Sequence, residues 1–190
     1  MKDTIRECLL GTSKLYATMA AEMVDPIARG AELLVATLRG GGTIYVCGNG
    51  GSAADAQHIA GELVGRFLLE RDALPCVALS TNTSILTCIG NDYSFDTVFE
   101  RQVKALVRKG DLLWAISTSG NSVNVLKAAE EARRRGAKVL GMTGRTGGKL
   151  KALSDVLLAV PADATPSIQE GHLGILHILC RLVEVRMAAR

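Results

Sequence analysis

The sequence is poor in aromatic residues, which make up 4% of it, and it holds four prolines and three histidines in 190 positions. So little proline excludes a polyproline or linker-rich chain. With 48% apolar and 22% charged residues, the composition is globular, neither disordered nor fibrous. An excess of charge is missing too: 22 Lys and Arg against 19 Asp and Glu leave +3, too little for a dedicated nucleic-acid binder. The basic triplet Arg133-Arg134-Arg135 falls at the end of a helical pattern, where cations complement the helix dipole. No apolar run reaches the roughly 18 residues of a membrane span, and the charge-alternating start Met1–Glu7 has no signal-peptide core. The five cysteines contain no Cys-x-x-Cys, and several sit inside apolar patterns where a thiol acts as a small hydrophobe. That usage fits a reducing, cytoplasmic setting.

Glycine, by contrast, is plentiful at 20 residues, which suits many tight loops. The length suits a single domain spanning residues 1–190, with residues 1–40 as a helical extension used in oligomerisation. Ile5, Cys8, Leu9, Thr12, Leu15, Tyr16, Met19 and Met23 form one helical stripe. Asp25-Pro26 predicts an N-cap and first helical position, and Gly40-Gly41-Gly42 ends the second helix. Short apolar runs follow at Ile44–Cys47, Cys76–Leu79, Leu112–Ile116, Val139–Met142 and Val156–Val160. Between them lie helical periods over Ser52–Arg66, Asp96–Arg108 and Ser122–Arg135. Strands alternating with helices imply an α/β fold: a doubly wound, five-stranded parallel sheet of flavodoxin-like type after an N-terminal helical pair. The last stretch, Ser167–Arg190, predicts one long helix. Its Leu173, Ile175, Leu176, Ile178, Leu179, Leu182, Val183 and Val185 make it apolar on nearly every side, which points to self-association.

In such sheets ligands bind at the carboxyl ends of the strands. Two loops there open helices: Cys47-Gly48-Asn49-Gly50-Gly51-Ser52 after the first strand and Ser117-Thr118-Ser119-Gly120-Asn121-Ser122 after the third. Glycine admits close backbone approach, and free N–H groups with the helix dipole favour an anion. Neither loop continues into Gly-Lys-Ser/Thr, and neither forms Gly-x-Gly-x-x-Gly with an acidic residue on the second strand. A small phosphorylated metabolite therefore fits better than a nucleoside triphosphate or dinucleotide. Asp55, His58 and Glu62 share the face of the following helix, a spacing open to a metal, to an acid–base pair or to an ordinary charged surface. His177, flanked by Leu176 and Ile178, is either a satisfied core histidine or a functional one.

Taken together, Cys47-Gly-Asn-Gly-Gly-Ser, Ala56-Gln57-His58 with Glu62-Leu63 and Gly65-Arg66, Gly90-Asn91-Asp92, Ser117-Thr-Ser-Gly-Asn-Ser and Ile168-Gln169-Glu170 before His177 resemble the sedoheptulose 7-phosphate isomerase family of sugar isomerase (SIS) domain proteins. The resemblance covers nearly the whole chain. It implies a homotetramer with active sites at subunit interfaces and one zinc per subunit. It also implies an aldose–ketose isomerisation giving D-glycero-D-manno-heptose 7-phosphate for ADP-heptose and lipopolysaccharide core, or another bacterial surface glycan. By the same resemblance His58, Glu62, Gln169 and His177 bind zinc, and Glu62 and His177 move protons. Asn49, Gly50, Gly51, Ser52, Glu62, Asn91, Asp92, Ser117, Thr118, Ser119, Ser122 and Gln169 contact the sugar phosphate.

Gln169 and His177 are eight residues apart, roughly 12 Å along an ideal helix. One ion would require both side chains to lean inward or two subunits to contribute, and the interface reading is favoured. Two non-isomerase readings compete. One is a non-catalytic SIS-domain protein that binds a replication initiator, which would have no need of the Glu62 and His177 pair. The other is a sugar-phosphate sensor of the kind joined to transcription regulators, for which this chain has no DNA-binding segment.

Overall fold

The five apolar runs lie side by side in one parallel sheet in the computed structural model, which describes residues 1–188. The strands are β1 (Ile44–Cys47), β2 (Cys76–Ala78), β3 (Leu112–Ile116), β4 (Lys138–Gly144) and β5 (Val156–Val160), in spatial order β2-β1-β3-β4-β5. Tyr45 of β1 lies opposite Val77 on one side and Leu113 on the other. This is the expected flavodoxin-like order. Its direction of winding switches between β1 and β3, where a crevice forms at the carboxyl edge.

Alternation along the strands feeds two layers. Ile44, Val46, Leu112, Trp114, Ile116, Leu140 and Met142 pack towards one side with Leu34, Ile59, Leu63, Ile175 and Leu179. Tyr45, Cys47, Leu113, Ala115 and Val139 pack towards the other with Phe99, Val103, Ala128 and Ala132. The first layer is built by α1 (Lys2–Glu22), α2 (Val24–Arg39), α3 (Gly51–Val64) and α7 (Thr165–Ala188). The second holds α4 (Thr83–Asp92), α5 (Val98–Leu106) and α6 (Val123–Arg134). Trp114, fully buried, anchors the first layer at mid-sheet, and burying a side chain of this class contributes about 1.5–3 kcal/mol.

Several boundaries differ from the expected ones. Helix α2 begins at Val24 with Met23 as its cap, so Asp25 and Pro26 occupy the first turn; proline is tolerated there because the first N–H groups have no intrahelical partner. The α1 stripe is buried only at its end, through Leu15 and Met19, whereas Ile5 and Leu9 are 54% and 68% exposed. The Thr12 hydroxyl donates to Glu170 Oε2 at 2.7 Å, and the Tyr16 hydroxyl to the Glu170 carbonyl at 3.1 Å, latching α1 onto α7. Helix α4 was unexpected. Its Thr83-Ser84-Ile85 start has poor helix propensity, and the Asn82 side chain supplies the cap by accepting the Ile85 N–H at 3.0 Å. The final two positions of the expected terminal helix lie outside the described residues. Among the described residues no helix is long and apolar enough to cross a membrane.

Candidate active site

Both glycine loops lie on the switch-point strands, one after β1 and one after β3. They are tied together by a reciprocal amide pair: Asn49 Nδ2 donates to Asn124 Oδ1 at 2.9 Å, and Asn124 Nδ2 donates to Asn49 Oδ1 at 2.9 Å. Asn124, 3% exposed, lies in the first turn of α6 and makes no sequence motif. Its only signal is an amide in a helix position that favours other residues. Neither α3 nor α6 has a side-chain cap, so side chains leave their first-turn N–H groups unclaimed at the crevice. In the second loop Ser117 Oγ is 3.0 Å from Ser122 Oγ and 3.5 Å from Ser119 Oγ, making a compact hydroxyl cluster. Gly120, at φ +65°, turns that loop so tightly that a Cβ would stand 2.1 Å from the Gly147 carbonyl oxygen. Ser52 and Ser117 are buried, Asn49, Thr118 and Ser122 half-buried, and Gly50, Gly51 and Ser119 exposed.

The titratable groups gather on α3 and α7. Glu62 Oε1 lies 3.0 Å from His58 Nε2, and His58 Nε2 lies 3.4 Å from His177 Nε2. The two imidazoles meet edge to face, and the Phe67 ring stacks on His177 with centroids 5.8 Å apart. One chain thus supplies His58, Glu62 and His177. They meet because α3 and α7 pack side by side within the same layer. Gln169 sits further up: its Nε2 would be 2.4 Å from a Cβ on Gly51, so the absence of a side chain there admits the amide to the head of α3. Asp55, on the same helix face, has Oδ2 buried without a hydrogen bond, and burial pushes its pKa up to about 6 against the pull of His58. Asn91 and Asp92, at the exposed end of α4, pair with each other at 2.8 Å, and Cys88 Sγ approaches Asp92 at 3.4 Å. Among the described residues no hydrogen bond joins them to either glycine loop.

The chemistry of this donor set fits a divalent cation of borderline softness. Tetrahedral zinc with Zn–N of 2.0–2.1 Å separates its ligand atoms by about 3.3–3.4 Å, close to the 3.4 Å between the two imidazole nitrogens. Among the described residues no three His, Cys, Asp or Glu side chains close on a common point; the three groups form a row with His58 in the middle. The third histidine is of another kind. His172 is fully buried with Nε2 at 3.1 Å from the Thr143 carbonyl, and burial holds its pKa down to about 4. Of the two histidines on α7, His172 is the one in the core, while half-buried His177 meets His58 beside Glu62.

The SIS domain family model matches residues 11–144. A phosphoheptose isomerase of Geobacter sulfurreducens is 53% identical over 187 residues, covering 98% of this chain and 99% of that one. The chain belongs to the phosphoheptose isomerase family. Solved structures agree. A phosphoheptose isomerase from Neisseria gonorrhoeae superposes with a TM-score of 0.92 at 44% identity, covering 97% of this chain and 98% of its own. One from Francisella tularensis does so at 0.93 and 38%, covering 96% and 97%. For a phosphoheptose isomerase fold, the five-stranded sheet and the long C-terminal helix are thus as expected. Sequence reasoning missed Phe67, Arg71, Asn124 and Glu184, whose contacts cross between elements far apart in the chain.

Proposed function

We propose that the chain interconverts sedoheptulose 7-phosphate and D-glycero-D-manno-heptose 7-phosphate through an enediol, feeding ADP-heptose and surface-glycan synthesis. The observation that carries this reading is the meeting of Glu62, His58 and His177 below two phosphate-type loops, in a chain about half identical to phosphoheptose isomerases. The loops after β1 and β3 take the phosphate on N–H groups and on the Ser117, Ser119 and Ser122 hydroxyls, with Asn49–Ser52 and Thr118 closing round it. Gln169, Asn91 and Asp92 are assigned to the sugar hydroxyls.

In the ketose-to-aldose direction Glu62 takes a proton from C1 and returns it to C2, while His177 gives a proton to O2 and helps O1 to lose one. Each such group typically contributes about 10²–10⁴ in rate. His58, Glu62, Gln169 and His177 would hold one zinc per subunit, which supplies Lewis-acid polarisation of the sugar carbonyl. Glu62 would then serve both as a ligand and as the base. The exposed Tyr16, Val24, Ile178, Leu182 and Val185 on the outer face of the α1, α2 and α7 layer support assembly as a homotetramer. The deciding experiment incubates purified protein with sedoheptulose 7-phosphate, with and without chelation and zinc add-back. An aldoheptose phosphate that disappears on chelation and returns with zinc is expected. Its absence under every condition refutes the reading in favour of a binding protein.

A further inference from the structure

The catalytic row has a buried support behind it. Glu184 follows His177 by two turns of α7 and so shares its face. Its side chain is 1% exposed, yet it pairs with no group of its own helix. Oε1 accepts the Phe67 N–H at 2.9 Å and Oε2 the Leu68 N–H at 2.8 Å. Arg71, with a side chain 3% exposed, places Nε 3.6 Å from Glu184 Oε1. Its Nη2 donates to the Glu62 carbonyl at 2.8 Å, and its Nη1 donates to the carbonyls of Gly65 at 3.1 Å and Asp72 at 2.9 Å. Arg71 thereby satisfies carbonyls at the end of α3 that the helix itself leaves unpaired. Phe67, hung from Glu184 by its N–H, lays its ring on His177.

We infer that Glu184 and Arg71 form a clamp that positions the acid–base pair, holding the end of α3 that bears Glu62 against the face of α7 that bears His177. This rests on the proposed roles of Glu62 and His177. Neither clamp residue touches the crevice; both act through Phe67 and through the Glu62 main chain, so they are positioning residues. A buried ion pair is weak evidence of stabilisation for its own sake, since apolar groups of similar size often serve as well. Apolar groups could not, however, bind two N–H groups and three carbonyls of an irregular segment. Burial would raise the Glu184 pKa, but the N–H groups of Leu68, Leu69 and Phe67 and the Arg71 charge outweigh it and hold the carboxyl below its ordinary range. The clamp is charged throughout the neutral range.

The test reads histidine ring resonances in protein selectively labelled at histidine, where only three sets of signals arise. Phe67→Leu removes the stacked ring, so the set it moves most reports His177 and fixes the unstacked position. Glu184→Gln keeps the volume but offers one acceptor oxygen in place of two. The His177 signals should then move at least halfway to the unstacked position, and kcat should fall at least about tenfold with KM within about threefold. Arg71→Lys, which loses the guanidinium fork, should lower kcat similarly and carries the test if Glu184→Gln fails to fold. Wild-type His177 signals and kcat in a folded variant, with only the melting temperature lowered, would overturn the clamp. The spectral arm needs no substrate. A shift on Glu184→Gln in a wild type that does not isomerise would uphold the positioning of His177 and sink the isomerase reading alone.

Discussion

The two layers flanking the sheet are finished to different degrees. The layer of α5 and α6 exposes fewer large apolar side chains, Leu106 and Val123 at the helix ends. Alanines 128, 129 and 132 let α6 lie close to the sheet, and the buried Glu131 holds both Arg134 and Arg135. The layer of α1, α2, α3 and α7 has the larger core, but it leaves Ile178, Leu182 and Val185 of α7 and Leu9 and Leu10 of α1 in contact with solvent. Among the described residues, it also carries the only row of interacting imidazoles and carboxylate. On the proposed reading, the chemistry sits on the layer with the broader exposed apolar face, and α7 would serve both assembly and activity.

The comparison can be broken most forcefully at the row itself. Glu62→Gln and His177→Gln should each lower turnover of sedoheptulose 7-phosphate by at least about two decades, and the double variant should lose far less than the product because the pair acts as a unit. Turnover within a few-fold of wild type would move the chemistry off this layer. Next comes the outer face. Ile178→Arg should dissociate the proposed oligomer in sedimentation, since an unpaired buried arginine costs several kcal/mol, whereas Glu130→Arg on α6 should leave assembly unchanged. Leu179→Arg, one residue along, should prevent folding instead, because Leu179 lies fully within the chain's own core.

A subtler contrast lies within α7. The unfolded chain protonates His172 near pH 6.5 and the folded chain near 4. Between these values the unfolded state binds more protons, so stability is full above about 6.5 and falls as pH drops, by about 3 kcal/mol at pH 4. Urea titrations at fixed protomer concentration should show that slope, and His172→Gln should flatten it. The smallest effect belongs to the phosphate loop. Ser119→Ala and Ser122→Ala each remove one hydrogen bond of about 0.5–1.5 kcal/mol and should raise KM by roughly two- to tenfold with turnover less affected. Unchanged KM in both would place the phosphate elsewhere.

What the sequence revealed follows from the range of each interaction. The strands of the sheet and the pairing of His58 with Glu62 rest on contacts within a few residues, and periodicity exposes these. Which of Ile178 and Leu179 faces inward does not emerge, because α7 is apolar almost all round and its phase is set by the sheet. The β-branched start of α4 concealed a helix that one asparagine cap initiates. The stacking of Phe67 on His177 and the grip of Glu184 on Phe67 join positions more than a hundred residues apart, and only the packing of α3 on α7 creates them. Gln169 showed itself by type but not by place, since its seat depends on the missing side chain at Gly51.

The reciprocal amide pair has a consequence for how the molecule ages. Asn49 precedes Gly50, the dipeptide in which a backbone nitrogen most readily attacks the side-chain carbonyl to give a succinimide and then aspartate or isoaspartate. With both ends of its amide engaged by Asn124, the Asn49 side chain is held against the rotation that this attack needs. Were it to occur, a carboxylate would face Asn124 Oδ1 with no proton to offer, and a new negative charge would stand beside the loops proposed to take the phosphate. The lock that aligns the two loops therefore also protects the chain's most fragile covalent bond, and an Asn124 variant should accumulate deamidated protein on storage faster than the parent.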